Sequence, residues 1–131
     1  MLRCVLYVST ARAGIARGDV DAIVAESQRN NAVDAITGLL LFNGSNFMQL
    51  IEGEAEPLGA LMRRLYADER HHGLIKLADR GIAGRACEGW AMQPIAIGLD
   101  HPHRAEAVVQ VLPDDVADDL RALILGFAQL N

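Results

Sequence analysis

Residues 36–42, I-T-G-L-L-L-F, constrain this chain more than any other stretch. A near-continuous apolar run of that length reads as a strand that is covered on both faces or central in a sheet. Asn43 and Gly44 follow it and give the strongest short-range hairpin signal. Residues 47–52 return as the partner strand, and Gly53 ends the pairing. The rest of the chain has to supply the cover.

Residues 2–9 are rich in β-formers and hold no breaker. Leu2, Cys4, Leu6 and Val8 share one face of this strand; Arg3, Val5, Tyr7 and Ser9 share the other. After a Gly-containing turn, Asp19 is placed as a helix N-cap. Val20, Ile23, Val24 and Ser27 keep the helical spacing, which predicts a helix over residues 19–30. Pro57 suits the first turn of a second helix over 56–69, with Leu58, Leu61, Met62 and Leu65 as its apolar stripe. Residues 75–83 and 90–97 read as two more strands. The character changes after Gly98. Pro113 opens a last helix over 113–130, with Asp114, Asp115, Asp118 and Asp119 near its start, where the helix dipole favours negative charge. Its stripe is Val116, Leu120, Leu123, Ile124 and Phe127. The order predicts an α+β fold: a ferredoxin-like βαββαββ sandwich, two helices on one sheet face, with the C-terminal helix on the other.

At 131 residues the chain holds one domain. Its 51% hydrophobic and 22% charged content is that of a globular protein. A net charge of −5 argues against nucleic acid or an anionic membrane surface as partner. No apolar run approaches the ~20 residues of a membrane span. Met1-Leu2-Arg3-Cys4 leads straight into a strand with no signal pattern, and Cys4 and Cys87 form neither a disulfide framework nor a CxxC motif. A cytoplasmic chain with reduced thiols is expected.

Three features are out of place by pattern. Gln49 shares a strand face with Phe47 and Ile51, Tyr7 shares one with Val5, and Asn30 and Asn31 end a helix whose stripe points at the core. A buried glutamine without a partner costs about 1–3 kcal/mol, so Gln49 is either paired or solvated on an edge. Taken singly, each has an ordinary reading: Tyr7 as a sheet aromatic, Asn31 as a left-handed C-cap. Other constellations carry less. His71-His72 and His101-x-His103 read as surface histidines rather than a metal site. Glu52, Glu54 and Glu56 sit at a strand end and helix start, where solvent and the dipole account for them.

Taken together, Tyr7, S-Q-R-N-N at 27–31, I-T-G-L-L at 36–40, F-M-Q-L-I-E-G at 47–53, D-E-R-H-H at 68–72 and W-A-M-Q at 90–93 resemble the BLUF family of flavin-binding photoreceptor domains, in order over residues 1–97. The resemblance implies a flavin-binding domain over 1–97 and a helical extension over 98–131. It implies a non-covalent flavin, FAD or FMN, with its ring between the two helices. Ile23 and Leu65 would sandwich the ring, and Leu39 and Phe47 would line the cavity. Asn31 and Asn30 would hold the pyrimidine edge, where an amide offers donor and acceptor in one plane. Arg64, Asp68, Arg70 and His71 would meet the carbonyl edge, ribityl chain or phosphate.

The resemblance also implies a mechanism. Tyr7 would give an electron and a proton by way of Gln49, leaving the glutamine rotated, tautomerised or both. Trp90 or Met92 would carry the signal, and only one of them can face the site at a time. The chain would be a sensor and not an enzyme. With no effector domain in these residues, output would pass to a downstream protein partner or a homo-oligomer. The alternatives are a flavin-free ferredoxin-like interaction module and, further off, a small hydrolase of the acylphosphatase type, whose loop pattern residues 9–18 do not reproduce.

Overall fold

The computed structural model describes residues 1–95 and 104–129. The chain forms β1 (Leu2–Ala11), α1 (Arg17–Asp34), β2 (Thr37–Phe42), β3 (Asn46–Glu54), α2 (Ala55–Ala67), β4 (His71–Gly81), β5 (Gln93–Ile95), α3 (Arg104–Val111) and α4 (Asp118–Ala128). The sheet order is β4-β1-β3-β2-β5. β1 runs antiparallel to both β3 and β4, β2 and β3 form the antiparallel hairpin, and β5 adds parallel to β2. This is the ferredoxin-like arrangement with one extra edge strand.

The hairpin closes where its sequence signal places it. Phe42 pairs with Phe47, and the Asn43 side chain accepts the Ser45 and Asn46 backbone N–H groups at 3.1 and 2.8 Å. Gly44 takes φ of 98°, open to glycine at no steric cost. Gly38, on β2, is held to glycine for another reason. A Cβ there would lie 2.1 Å from the Leu50 carbonyl oxygen.

Both sheet faces are covered. Val5, Tyr7, Ile36, Leu40, Phe47 and Ile51 face α2 (Leu58, Leu61, Met62) and α1 (Val20, Ile23, Val24). On the other face Cys4, Leu6, Leu39, Leu41, Met48 and Leu50 pack with Val108, Leu112, Val116, Leu120, Ile124 and Phe127. Two covered faces explain why residues 36–42 show no alternation. The C-terminal residues thus pack on the sheet face that α1 and α2 leave open. Cys4 and Cys87 are both buried there as free thiols, and burial pushes the Cys87 thiol up to about 12, with the Glu52 carboxylate adding to the shift.

Several boundaries differ from the sequence expectation. α1 starts at Arg17, and Asp19 is its third residue rather than its N-cap; the Asp19 carboxylate accepts the Ala16 N–H at 2.8 Å. The helix runs past Asn31 to Asp34 and closes on Ala35 at φ 54°, so Asn31 is no C-cap. β4 begins at His71, not at residue 75. Only residues 93–95 of the expected strand 90–97 pair with β2, and 96–97 lie outside the described residues. The tail holds two helices where one was expected over 113–130. α3 was not foreseen, and Pro113 sits in the connection between α3 and α4. Leu123 is 41% exposed and does not belong to the buried stripe. No helix among the described residues is long and apolar enough to cross a membrane.

Candidate functional site

Tyr7 and Gln49 are direct cross-strand partners on the two central strands, on the face beneath the helices. Both are buried. The Tyr7 hydroxyl donates to the Gln49 side-chain carbonyl Oε1. The Gln49 Nε2 points to the Met92 sulfur at 3.1 Å. Burial pushes the Tyr7 phenol well above its ordinary range, and the Asp68 carboxylate adds to the shift, so Tyr7 holds its proton at any ordinary pH.

Above this line lies a cavity of about 330 Å³ between α1 and α2, within the ~300–1,000 Å³ of small-molecule sites. Its floor is Tyr7, Leu40, Phe47 and Gln49, and Ile23 and Leu65 stand on its two helical walls. α1 explains the opening. Among its residues only Asn31 is buried; Val20, Ile23 and Val24 pack against the sheet-face core but stay half-buried, and Ile23 also lines the cavity.

Asn31 donates from Nδ2 to the Ala91 carbonyl at 2.8 Å, but its Oδ1 is buried with no partner among the described residues. A buried acceptor without a donor is costly and marks a place for an absent hydrogen-bonding group. Asn30 also lines the cavity and is exposed. The mouth is charged. Arg70 bridges Asp68 at 2.6 Å and Glu26 at 3.3 Å, and Arg64 meets Asp34 at 3.5 Å. The Arg70 guanidinium, by its hydrogen bond, holds the Asp68 carboxyl below the usual range. His71 Nε2 lies 2.6 Å from the Leu65 carbonyl and so donates to it, while Nδ1 meets the Ser9 hydroxyl at 2.7 Å. That fixes the ring as a structural tie between β1, β4 and the end of α2.

Of the residues expected at the site, the cavity gathers Tyr7, Ile23, Asn30, Asn31, Phe47, Gln49, Arg64, Leu65, Asp68, Arg70 and His71. Leu39 is a correction. It is fully buried on the opposite face, against the α4 side, and Leu40 takes the cavity position. The signal was in the hairpin: Gln49 pairs with Leu40, as the parity of the hairpin register requires. Glu26, Ser27, Leu61 and Ala67 also line the cavity; the sequence marked Ser27 and Leu61 as helix-stripe positions, not as cavity residues, and did not mark Glu26 or Ala67. Between Trp90 and Met92 the structure chooses. Met92 is buried against Gln49, and Trp90 packs half-buried on the other core. Among the described residues no cluster of three or more His, Cys, Asp or Glu could hold a metal; His101 and His103 lie outside them.

A flat, largely apolar ring with a polar edge fits this space: apolar side chains on two helices, an unpartnered amide oxygen at one side, and a guanidinium at the mouth. The comparisons agree. Residues 2–93 match the BLUF family model, described as sensors of blue light using FAD. The chain is 35% identical over 77 residues, 59% of its length, to the blue light- and temperature-regulated antirepressor BluF of Escherichia coli. It is 32% identical over 85 residues, 65% of its length, to the photoactivated adenylate cyclase subunit beta of Euglena longa. A structure of Klebsiella pneumoniae BlrP1 with FMN and cyclic diGMP superposes with a TM-score of 0.85 at 30% identity over 98% of this chain. These relatives are longer: the chain spans 19% of the antirepressor, 10% of the cyclase subunit and 34% of BlrP1. With the family match covering residues 2–93 and the Tyr7–Gln49 pair at the floor of the cavity between α1 and α2, the chain belongs to the BLUF family of blue-light sensors that use flavin.

Proposed function

We propose that residues 1–97 bind one FAD or FMN between α1 and α2, and that light reorders the Tyr7–Gln49–Met92 line beneath it. The observation that carries this reading is that line itself, a buried amide bonded at both ends beside a cavity with an orphaned acceptor. Bound flavin supplies blue-light absorption and, once excited, oxidising power. Tyr7 would be the donor of an electron to bound flavin and of its proton to the Gln49 Oε1 it bonds, and would recover both, so that no net reaction occurs. Gln49 is the bistable element. Turned over, the amide would donate from Nε2 to the Tyr7 oxygen and give up its contact with the Met92 sulfur, which has no hydrogen to donate; that is the second arrangement. Ile23, Leu40, Phe47 and Leu65 exclude water from the ring. Asn31 and Asn30 hold the pyrimidine edge, and Arg64, Asp68, Arg70 and His71 shape the mouth.

In this reading the chain is a sensor without catalytic activity, acting in the cytoplasm through a downstream partner or a second copy of itself. The helices α3 and α4 of the C-terminal extension read the sheet from its other face. Reconstitution with FAD, FMN or riboflavin tests the reading. It predicts about one flavin per chain and a reversible red shift of the absorption under blue light. A folded, flavin-loaded chain whose spectrum does not move contradicts it.

A further inference from the structure

We propose that Glu52 is a positioning residue: with Thr37 and Arg85 it anchors residues 85–92 and so fixes Met92 against Gln49. Glu52 lies on β3 three positions beyond Gln49 and on the opposite sheet face. Its sequence context placed it in solvent, yet it is 2% exposed. A carboxylate is buried only when its oxygens are satisfied, and here they are. Oε1 accepts the Thr37 hydroxyl and the Cys87 N–H, both at 2.9 Å, and Oε2 accepts the Ala86 N–H at 2.8 Å. Arg85 locks the same corner. Its Nη1 donates to the Thr37 hydroxyl oxygen at 2.8 Å and to the Glu52 carbonyl at 3.1 Å, and its Nη2 donates to the Ala35 carbonyl at 2.7 Å.

From that anchor the segment passes round the start of β2 to the cavity. Trp90 N–H closes a turn on the Cys87 carbonyl at 3.0 Å, and the Trp90 carbonyl accepts the Gly38 N–H at 2.8 Å. Asn31 then holds the Ala91 carbonyl at 2.8 Å, and Gln28 Nε2 holds the Met92 carbonyl at 3.0 Å. The Met92 sulfur is the end of this strap, 3.1 Å from Gln49. Cys87, near its other end, sits in the core that α4 covers, and Trp90, between the two, packs against that core. A strap that begins in one core and ends in the other converts a turn of Gln49 into a pull on the α4 face. Its fixed point is the Glu52 carboxylate. This rests on the reading of Gln49 as the switch.

The test uses the full chain, flavin-free and flavin-loaded, with Glu52→Gln, Thr37→Val and, as control, Glu54→Gln at an exposed ion pair with the N-terminus. Two signals are followed without flavin: the Met92 methyl resonance in methyl-labelled protein, and amide exchange at Ala86 and Cys87. The proposal predicts a displaced Met92 signal and about tenfold faster exchange at both amides in Glu52→Gln and Thr37→Val, the equivalent of roughly 1.4 kcal/mol. Protection in β1 and β3 should stay at the parent level, and Glu54→Gln should match the parent throughout. If Glu52→Gln fails to fold, Thr37→Val keeps the carboxylate and reads the same strap. A Met92 signal unmoved in a folded variant, or a loss of protection spread evenly over the sheet, overturns the proposal. Because these readouts need no light, they stand apart from the photochemistry. In the flavin-loaded variants the dark recovery rate should change several-fold, and an unchanged rate also counts against the strap.

Discussion

The Gln49 side-chain nitrogen lies 3.1 Å from the Met92 sulfur, although the two residues are 43 positions apart, Gln49 on β3 and Met92 in the connection before β5. A thioether is a weak acceptor. The other end of the same amide meets the strong donor of Tyr7. The amide is therefore held firmly on one side and loosely on the other, a poise suited to turning. Met92→Leu removes the sulfur at near-constant volume. Fold and flavin affinity should persist, and the lifetime of the light state should change several-fold. Time-resolved absorption checks this, and a recovery rate equal to the parent's would mean that the sulfur takes no part.

Asn31→Ala should weaken flavin binding. It removes the Oδ1 acceptor that has no partner among the described residues and also frees the Ala91 carbonyl from its donor. A loss of roughly 1–3 kcal/mol, or about 5- to 150-fold in Kd, is expected. Fluorescence titration with FMN measures it, and unchanged affinity would reduce Asn31 to a tie between α1 and residue 91.

Leu39 and Leu40 are neighbours with separate tasks, and alanine should separate them. Leu40→Ala enlarges the cavity floor and should lower flavin affinity and shift the flavin spectrum. Leu39→Ala opens the α4-side core, where Leu39 is 0% exposed, and should cost about 2–5 kcal/mol of stability. The flavin spectrum of the folded Leu39→Ala protein should match the parent's. Urea unfolding and absorption on both variants decide it; matching phenotypes would contradict the face assignment.

How much of this could be read from the chain follows from where each signal is local. The hairpin, both flanking helices and the opposed faces of β1 rest on spacing within a few residues, and they are where the sequence puts them. Asn31 looked like a helix end because asparagine suits caps. Its side chain instead bonds Ala91, a contact 60 positions away that no local pattern encodes. Glu52 looked solvated for the same reason, since its donors come from residues 37, 86 and 87. Of the strand expected over 90–97, residues 90–92 are strap because Trp90, Ala91 and Met92 spend their hydrogen bonds on β2, α1 and Gln49. α3 had no strong cap or stripe to announce it. Most of the cavity residues were found by resemblance, and the one error among them, Leu39, is a single-position slip that hairpin parity corrects.

Acid should weaken the cavity mouth. The Arg70 hydrogen bond holds the folded Asp68 carboxyl below its unfolded value, which lies near 3.9. A depressed carboxyl contributes stability that is full above the unfolded pKa and is lost as pH falls through the folded one. The parent should therefore be more stable than Asp68→Asn at pH 7, and the gap should close below about pH 4. Urea midpoints from pH 7 to 2 test this. A gap that persists at pH 2 would mean that the Asp68 charge is not what stabilises the mouth.

The most direct measurement of the central claim is the light-minus-dark absorption spectrum of the flavin-loaded chain beside its Tyr7→Phe and Gln49→Leu variants. All three should carry flavin, because neither residue supplies the main binding contacts. The parent should show a reversible red shift, and both variants should show none. A variant that still forms the normal red-shifted state would contradict the part its hydrogen bond plays in the switch.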